Sequence, residues 1–473
     1  MPEDKFYLTT AIDYINAKPH IGHAYEKVAA DVLARFYSGK LGRDRVRFLT
    51  GTDEHGAKIA QAAVAANQPI EAFARETAAK FSFAWDQLNI EPDRFIRTTD
   101  EDHKQTVSEI LTKIKDNGHL YEGQYEGYYC TACETFYTET DAPNHICPVH
   151  KTPLEFLKEK NWFLKISNFT KQIQEKIKKD ELKIWPESAK NEILSMLEQG
   201  FHDTAISRPN VKWGISLPWD TEQTVYVWVD ALINYVTGAK LENHNWWPAD
   251  LHIIGKDISK FHCIIWPAIL LAADLKLPKQ VVVHGYLTVG GEKMSKSVGN
   301  VIDPNDWVAK YGADAVRYLL LREVAFGQDG DISEEKLKSR YEGELANGLG
   351  NLVSRVTTLV EKFLDGKVAI DTSIFPNDEG LGEAVENFHF HEALAIIWQW
   401  VAWCNKTVDE NKLWALGKTD LPKFKEIAGQ LVSSLAFIGE KLKPFLPETS
   451  AKILKIIKAE KITKCDPLFP RIS

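Results

Sequence analysis

Two short stretches of the chain carry residue types suited to holding a polyphosphate. The first is Pro19-His20-Ile21-Gly22-His23. It follows a strand-like run, Lys5–Thr10, and precedes apolar residues at helical spacing: Val28, Val32, Leu33 and Phe36. Histidines at a strand-to-helix turn stand beside the unbonded N–H groups and positive dipole end of a helix, where an anion is favoured. Gly22 leaves room for a ligand to approach the backbone. The second stretch is Lys293-Met294-Ser295-Lys296-Ser297, behind Gly290-Gly291 and the strand-like run Val281–Val289. Two lysines and two hydroxyls within five residues on a Gly-rich loop suit a clamp on phosphates. Alone, the first would pass for a surface turn and the second for a solvated basic loop.

A third group suits a metal. Cys130-Thr-Ala-Cys133 and Cys147-Pro-Val-His150 form two knuckles enclosing thirteen residues (134–146). Three thiolates and an imidazole at this spacing fit tetrahedral Zn²⁺, and protein ligands at all four positions make such a site structural. The other cysteines, Cys263, Cys404 and Cys465, are scattered and read as buried or idle thiols. The six together do not read as a disulfide framework in a chain of 473 residues.

The elements that must position these groups alternate between strand and helix. Strands are expected at Phe6–Tyr14, Val46–Gly51 and Phe95–Thr98, with helices at Gly22–Tyr37, Lys58–Phe81 and Glu101–Asn117. The pattern resumes with strands at Thr224–Asp230, Leu251–Gly255 and Gln280–Val289. Helices are expected at Ile258–Leu275, kinked by Pro267, and at Ala313–Glu323. Such alternation implies an α/β, doubly wound parallel sheet whose ligands sit at the carboxyl ends of the strands. Tyr14, the histidine turn and Thr52-Asp53-Glu54-His55 all fall at such ends. Gly51 and Gly56 hint at a Walker A loop, but the lysine comes one place late, at Lys58, so that motif fails. Beyond Ser333 only amphipathic helical segments remain: Glu334–Phe363, Gly380–Asn411, Leu421–Lys443 and Thr449–Ala459, an all-α bundle. The expected division is 1–117 and 220–332 for the halves of the sheet domain, 118–219 for a zinc-bearing insertion and 333–473 for the bundle.

Composition sets wider limits. With 44% hydrophobic and 26% charged residues, the chain has the make-up of an ordinary globular protein. Its longest apolar run, Cys263–Ala273, is too short to span a bilayer, and no signal peptide is visible, so a cytoplasmic location is expected. A net charge of −9 argues against general coating of nucleic acid but leaves room for one shaped RNA partner. The Lys-rich segments Lys171–Lys183 and Lys452–Lys464 read as solvated faces.

A chain with His-Ile-Gly-His after its first strand and Lys-Met-Ser-Lys-Ser after a late one resembles the class I aminoacyl-tRNA synthetases. Within them it is most similar to the methionyl family of the bacterial type with one zinc knuckle. Ala11–Tyr14, Phe48–Gly56, Val225–Ala231, Ile254–Ile258, Phe261-His262 with Trp266-Pro267, and Leu468–Ile472 look like that family's blocks, so the likeness covers nearly the whole chain. The resemblance implies a Rossmann-like catalytic domain that activates L-methionine with ATP, as its Mg²⁺ complex, and charges tRNA(Met). It implies catalytic roles for His20, His23, Lys293 and Lys296, with ATP contacts extending to Gly22 and Ser295. It places the methionine side chain among Ile12, Tyr14, Trp228, Ala231, Tyr235, Phe261 and His262, with the α-amino group on Asp53. A polarizable thioether packs well against aromatic edges, and an ammonium needs a carboxylate, so the residue types agree. Anticodon bases would be read by Asn351, Arg355 and Trp414, an i, i+4 pair plus a stacking platform. One methylene is worth only about 1–3 kcal/mol, so homocysteine is not excluded by size, and a hydrolytic side reaction on it is implied.

Two departures from the family pattern stand out. Asp13 occupies a position where many relatives carry an apolar or aromatic residue, which would alter the rear wall of the pocket. The chain stops at Ser473 without the appended C-terminal domain of some relatives, so a monomer is expected. The competing assignments are a class I synthetase for another amino acid and a non-catalytic RNA-binding paralogue. The first loses on the short insertion and the compact zinc knuckle, the second on the presence of His20, His23, Asp53 and both lysines.

Overall fold

The structure, a computed structural model, describes residues 5–472 apart from 131–134, 138–141, 149–150, 242–243, 295–298, 372 and 374–377. The chain gathers into two units. One comprises residues 1–19, 44–83 and 92–284, the other residues 20–43, 84–91 and 285–473.

The first unit is built on a parallel sheet of seven strands. In spatial order these are Asp13–Tyr14, Val46–Asp53, Phe6–Thr10, Leu251–Gly255, Gln280–His284 and Lys183–Trp185, with Arg94–Arg97 also paired to Val46–Asp53. Leu8 lies opposite Leu251 on one side and Phe48 on the other. Every residue of Val46–Asp53 is buried, as expected for a parallel strand covered on both faces. Lys183–Trp185 falls inside the stretch 118–219 that the sequence pattern assigns to an insertion, yet it pairs with Gln280–Val282 as the outermost strand. The rest of that stretch includes a separate antiparallel sheet led by the long partners Leu120–Cys130 and Glu155–Leu164.

Several expected elements differ for physical reasons. Lys58–Phe81 is two helices, Ala57–Ala65 and Ile70–Gln87, because Asn67 turns left-handed (φ 53°) and Pro69 offers no amide hydrogen. The run expected as a strand at Thr224–Asp230 divides. Strand Asp220–Val225 ends it on one side, pairing antiparallel with Ser207–Arg208, and Val227–Ala239 is a helix. A short apolar run fits a buried strand or a helix buried all round, and this helix is buried at almost every position. Gln280–Val289 also divides. Gln280–His284 stays in the parallel sheet, while Leu287–Val289 pairs with Glu292–Lys293 and Gly330–Asp331 in a small sheet of the second unit. Between them a Cβ on Gly285 would lie 2.2 Å from the Gln328 backbone, so only glycine fits that bend. The kink expected at Pro267 takes the form of a widened π turn, Phe261–Ile265, immediately before helix Trp266–Ala272.

In the second unit, helix Ile21–Leu41 packs with Ala313–Glu323. Arg317 is fully buried there. It pairs with Asp31 at 2.7 Å and donates to the carbonyls of Leu88, Pro444 and Phe445. A buried guanidinium is tolerable because its charge and its donors are matched in this way. The all-helical continuation runs through Glu334–Arg340, Tyr341–Gly350, Asn351–Leu364, Glu379–Glu386, Phe390–Glu410, Leu413–Thr419, Leu421–Leu442 and Pro447–Ile457. Tyr341–Gly350 is a π segment, and Phe388 (φ 63°) splits the helix expected at Gly380–Asn411. Among the described residues, no helix is long and apolar enough to cross a membrane.

Gly51 offers a direct test of the sheet. A Cβ there would meet the Ile96 carbonyl oxygen at 1.9 Å, in the backbone of the paired strand Arg94–Arg97. Gly51→Ala is expected to lower unfolding free energy by about 1–3 kcal/mol or more, read from the urea midpoint. An unchanged midpoint would contradict the pairing of Gly51 with Ile96.

Candidate active site

The histidine turn is a reciprocal cap. His20 is the N-cap of helix Ile21–Leu41, and its Nδ1 accepts from the Gly22 backbone N–H at 3.1 Å. The His20 backbone N–H in turn donates to His23 Nδ1 at 3.2 Å. Spacing of i, i+3 is that of a capping box, here made with two imidazoles instead of a hydroxyl and a carboxylate. The rings stack with centroids 3.7 Å apart. Because each Nδ1 accepts a backbone hydrogen, the neutral ring carries its proton on Nε2. Burial drives the His23 imidazole well below its ordinary range, and the nearby His20 and Lys27 push the same way. The turn therefore sets two imidazoles at a helix N-terminus, a setting that suits phosphate oxygens.

Met294 reaches this turn from the lysine loop. A Cβ added to Gly22 would lie 3.1 Å from Met294 Cε and 2.9 Å from His20 Cε1, so the two signature stretches touch within the second unit. The backbone of Lys293 pairs with Thr288 at the end of the small sheet. The Lys293 side chain, Ser295 and Lys296 lie outside the described residues.

The residues assigned to a methionine side chain all belong to the first unit, and four of them meet as two pairs, Trp228 with Phe261 and Tyr235 with His262. Tyr14 lies in register opposite Asp53, the last residue of its strand, and Ile12 precedes it in the chain. Trp228, Ala231 and Tyr235 share one face of helix Val227–Ala239 by their i, i+3, i+7 spacing. Trp228 stacks on Phe261 at 4.1 Å and 14°. The Tyr235 hydroxyl is 2.7 Å from His262 Nε2, and His262 Nδ1 is 3.1 Å from the Ile258 carbonyl. A carbonyl only accepts, so Nδ1 carries the proton and, in the neutral ring, Nε2 accepts from the tyrosine. Tyr7 donates to the Tyr235 carbonyl at 2.8 Å, holding the same helix from the sheet. Asp13 is buried, and strand alternation puts it on the opposite side from Tyr14 rather than on a wall shared with it.

Sequence reasoning missed the groups behind this pocket. Glu54 is fully buried and engaged by Arg97 through two bonds of 2.7 and 2.8 Å, with the Thr52 and Thr99 hydroxyls donating as well. Asp230 sits between His55 and His103. Arg208 is buried against Glu159 and stacks near Tyr129 and Tyr226. Apart from Thr52, two residues before Glu54, the hydrogen-bond and ion-pair partners lie more than forty residues from the groups they serve, so no local pattern marks them.

A model of the tRNA synthetases class I (M) family matches residues 6–153 and 138–357. Methionine–tRNA ligase of Thermotoga maritima is 41% identical over 96% of this chain and 76% of its own length. The ligase of Mycobacterium tuberculosis is 40% identical over 96% of this chain and 92% of its own. The chain belongs to the class I methionine–tRNA ligases. The crystal structure of the M. tuberculosis methionyl-tRNA synthetase bound by methionyl-adenylate superposes with a TM-score of 0.92 at 36% identity, covering 98% of this chain and 100% of that one. The free form of the same enzyme matches with a TM-score of 0.84 at 33% identity, covering 99% and 98%.

Two further groups bear on this methionine–tRNA ligase assignment. Arg355 lies with its guanidinium 5.7 Å from the Trp414 ring centroid and bonds Asp409 at 2.6 Å. Asn351, one turn before it, is exposed, and Trp414 is 47% exposed. Of the metal-ligand set, Cys130 and Cys147 are described and both are buried, Cys130 at the end of a strand and Cys147 opening a turn closed by Lys151. Cys133 and His150 lie outside the described residues.

Gly22→Ala places a methyl group against His20 and Met294. Pyrophosphate exchange is expected to fall about 100-fold, the scale of an ångström-sized misplacement at a reacting centre. The unfolding free energy is expected to change by no more than about 1 kcal/mol, since alanine is the better helix former and only a cap is perturbed. Full activity in this variant would show that the close contact has no part in the chemistry.

Proposed function

We propose that the chain activates L-methionine with ATP, giving methionyl adenylate and diphosphate, and transfers the methionine to the 3′ end of tRNA(Met). The observation that carries this reading is the pocket of the first unit. An aromatic pair, Trp228 on Phe261, and the Tyr235–His262 pair stand on elements that follow strands, and the carboxylate of Asp53 stands at a strand end. That combination suits a thioether side chain and an α-ammonium on one amino acid. The covalently joined product in the superposed M. tuberculosis structure, methionyl-adenylate, is the intermediate of this reaction.

The methionine carboxylate attacks the α-phosphate in line, and negative charge grows on the phosphoryl oxygens and the leaving diphosphate. Preformed donors, rather than a proton-transfer group, supply the rate in such a step. His20 and His23 present their Nε2–H donors from the helix end, with Gly22 giving close approach. Lys293 and Lys296 close from the loop side onto the β and γ phosphates, Ser295 adds a contact to the ATP, and Mg²⁺ arrives with the ATP. The terminal ribose hydroxyl of the tRNA then attacks the adenylate carbonyl. Ile12, Tyr14, Ala231 and the aromatic residues enclose the methionine side chain. Asn351, Arg355 and Trp414 contact the anticodon, where an exposed indole beside a guanidinium offers a stacking platform.

One Zn²⁺ held by Cys130, Cys133, Cys147 and His150 would close the small antiparallel sheet as a folding staple. The two described thiols, both buried, suit this. The four-part division of the chain, with the bundle from residue 333 as the anticodon-binding part, a cytoplasmic location and a monomeric state complete the proposal.

The two halves of the reaction are separable by mutation. Lys296→Ala is expected to lower methionine-dependent pyrophosphate exchange about 10²–10³-fold, the cost of one transition-state donor, with the unfolding midpoint unchanged. Trp414→Ala is expected to leave exchange intact and reduce tRNA charging at least 10-fold, since a stacked base is worth about 1–3 kcal/mol. Loss of exchange in the tryptophan variant, or full charging by it, would remove the anticodon role. Metal analysis is expected to find one zinc per chain, lost in Cys130→Ser together with stability of the insertion.

A further inference from the structure

The helix that carries Trp228, Ala231 and Tyr235 also carries a buried carboxylate that faces away from them. Asp230 is 1% exposed, and each of its oxygens meets one imidazole nitrogen. Oδ2 lies 2.7 Å from His55 Nδ1, and Oδ1 lies 2.8 Å from His103 Nε2. The two histidines, 4% and 0% exposed, come from separate elements. His55 stands two residues past Asp53, beyond the end of strand Val46–Asp53. His103 is in the first turn of helix Glu101–Asp116, and its Nδ1 is 3.1 Å from the Thr237 hydroxyl, two turns further along the pocket helix.

At about 100° per residue, Asp230 projects roughly 200° from Trp228, toward the back of the helix. It therefore cannot touch a molecule packed on the Trp228–Tyr235 face. What it can do is fix the rotation and axial position of that face relative to Asp53. Burial by itself would raise the Asp230 carboxyl, but the His55 and His103 rings outweigh it and hold the group down at about 2. The carboxylate is thus charged, and bonds to it are of the short, charge-assisted kind. The His55 side is braced in turn: its ring meets Trp213 edge-on at 5.5 Å, Trp213 Nε1 donates to the Glu54 carbonyl, and the Gly56 N–H donates to the Trp213 carbonyl at 3.0 Å.

We propose that His55, Asp230 and His103 form a positioning clamp that sets the specificity face of the pocket helix against the strand end bearing Asp53. The clamp rests on the assignment of the methionine pocket made above. It joins the element that would hold the α-ammonium to the element that would hold the side chain through one carboxylate. Its residues are positioning residues and make no contact with methionine or ATP. Loosening the clamp displaces Trp228 and Tyr235 relative to Asp53, so it weakens methionine binding and leaves the ATP phosphate contacts, carried by the other unit, as they are.

The test is a steady-state and binding comparison on the full chain. His55→Ala and His103→Ala are expected to raise the methionine KM and the directly titrated methionine Kd about 10–100-fold, with the ATP KM unchanged. His55→Asn and His103→Gln, which keep a donor near the lost nitrogen, are expected to recover most of that loss. A purely structural role would lower the fraction of active sites or the unfolding midpoint while leaving the methionine KM of the folded fraction at its wild-type value, and that result overturns the clamp. Should the alanine variants fail to fold, Asp230→Asn decides, since it keeps the shape but turns one accepting oxygen into a donor facing an imidazole. An unchanged methionine KM in that variant also overturns the clamp. Asp53→Ala is run alongside: if it binds methionine normally, the pocket assignment itself fails, whereas a failure confined to the clamp variants leaves the pocket standing.

Discussion

Parallel pairing of Phe6–Thr10 with Val46–Asp53 on one side and Leu251–Gly255 on the other dictates where the first unit can bind anything. Strands that run the same way deliver their carboxyl ends to one edge, and the segments leaving that edge carry the polar and aromatic groups. Tyr14, Asp53 and the π turn beginning at Phe261 all follow from this. A slip of one residue in the register would turn the strand residues Tyr14 and Asp53 to the other face of the sheet. Complete burial of Val46–Asp53 makes such a slip costly, because every side chain of that strand is packed.

The second unit meets a different constraint. A helix N-terminus has four amide hydrogens without intrahelical partners, and here two imidazoles cap the turn by accepting from the backbone N–H groups of Gly22 and His20. The same residues thus serve local stability as a reciprocal cap, and the anion-binding role proposed for them calls for no second set of side chains. Further along the same helix, Asp31 pairs with Arg317, whose other donors meet backbone carbonyls of two further segments. Losing Asp31 would leave the Arg317 guanidinium as an uncompensated buried charge, whereas Asp31 is also paired with Arg35 at 2.8 Å, so the pair ties the middle of this helix to Ala313–Glu323.

What could be seen in the sequence follows from how far each interaction reaches along the chain. The histidine turn, the lysine loop and the cysteine knuckles are local patterns, each complete within a few residues or a short span. The parallel sheet is also legible, because its alternation of strand and helix is local. The helix Val227–Ala239 was not, since a continuous apolar run has no period to reveal its conformation once all faces are buried. The carboxylate of Asp230 meets histidines 175 and 127 residues away, so nothing near it in sequence signals its role. Glu54 shows the same limit in reverse. Beside Asp53 it looks equally available to a ligand, and only the fold shows it consumed by Arg97.

The central claim is that the pocket of the first unit selects methionine before any tRNA is involved. Amino-acid-dependent exchange of pyrophosphate into ATP, run across all twenty amino acids without tRNA, tests it most directly. Exchange with methionine alone is the predicted result. Exchange driven by a different amino acid would keep the adenylation chemistry and contradict the pocket built from Asp53, Trp228, Tyr235, Phe261 and His262.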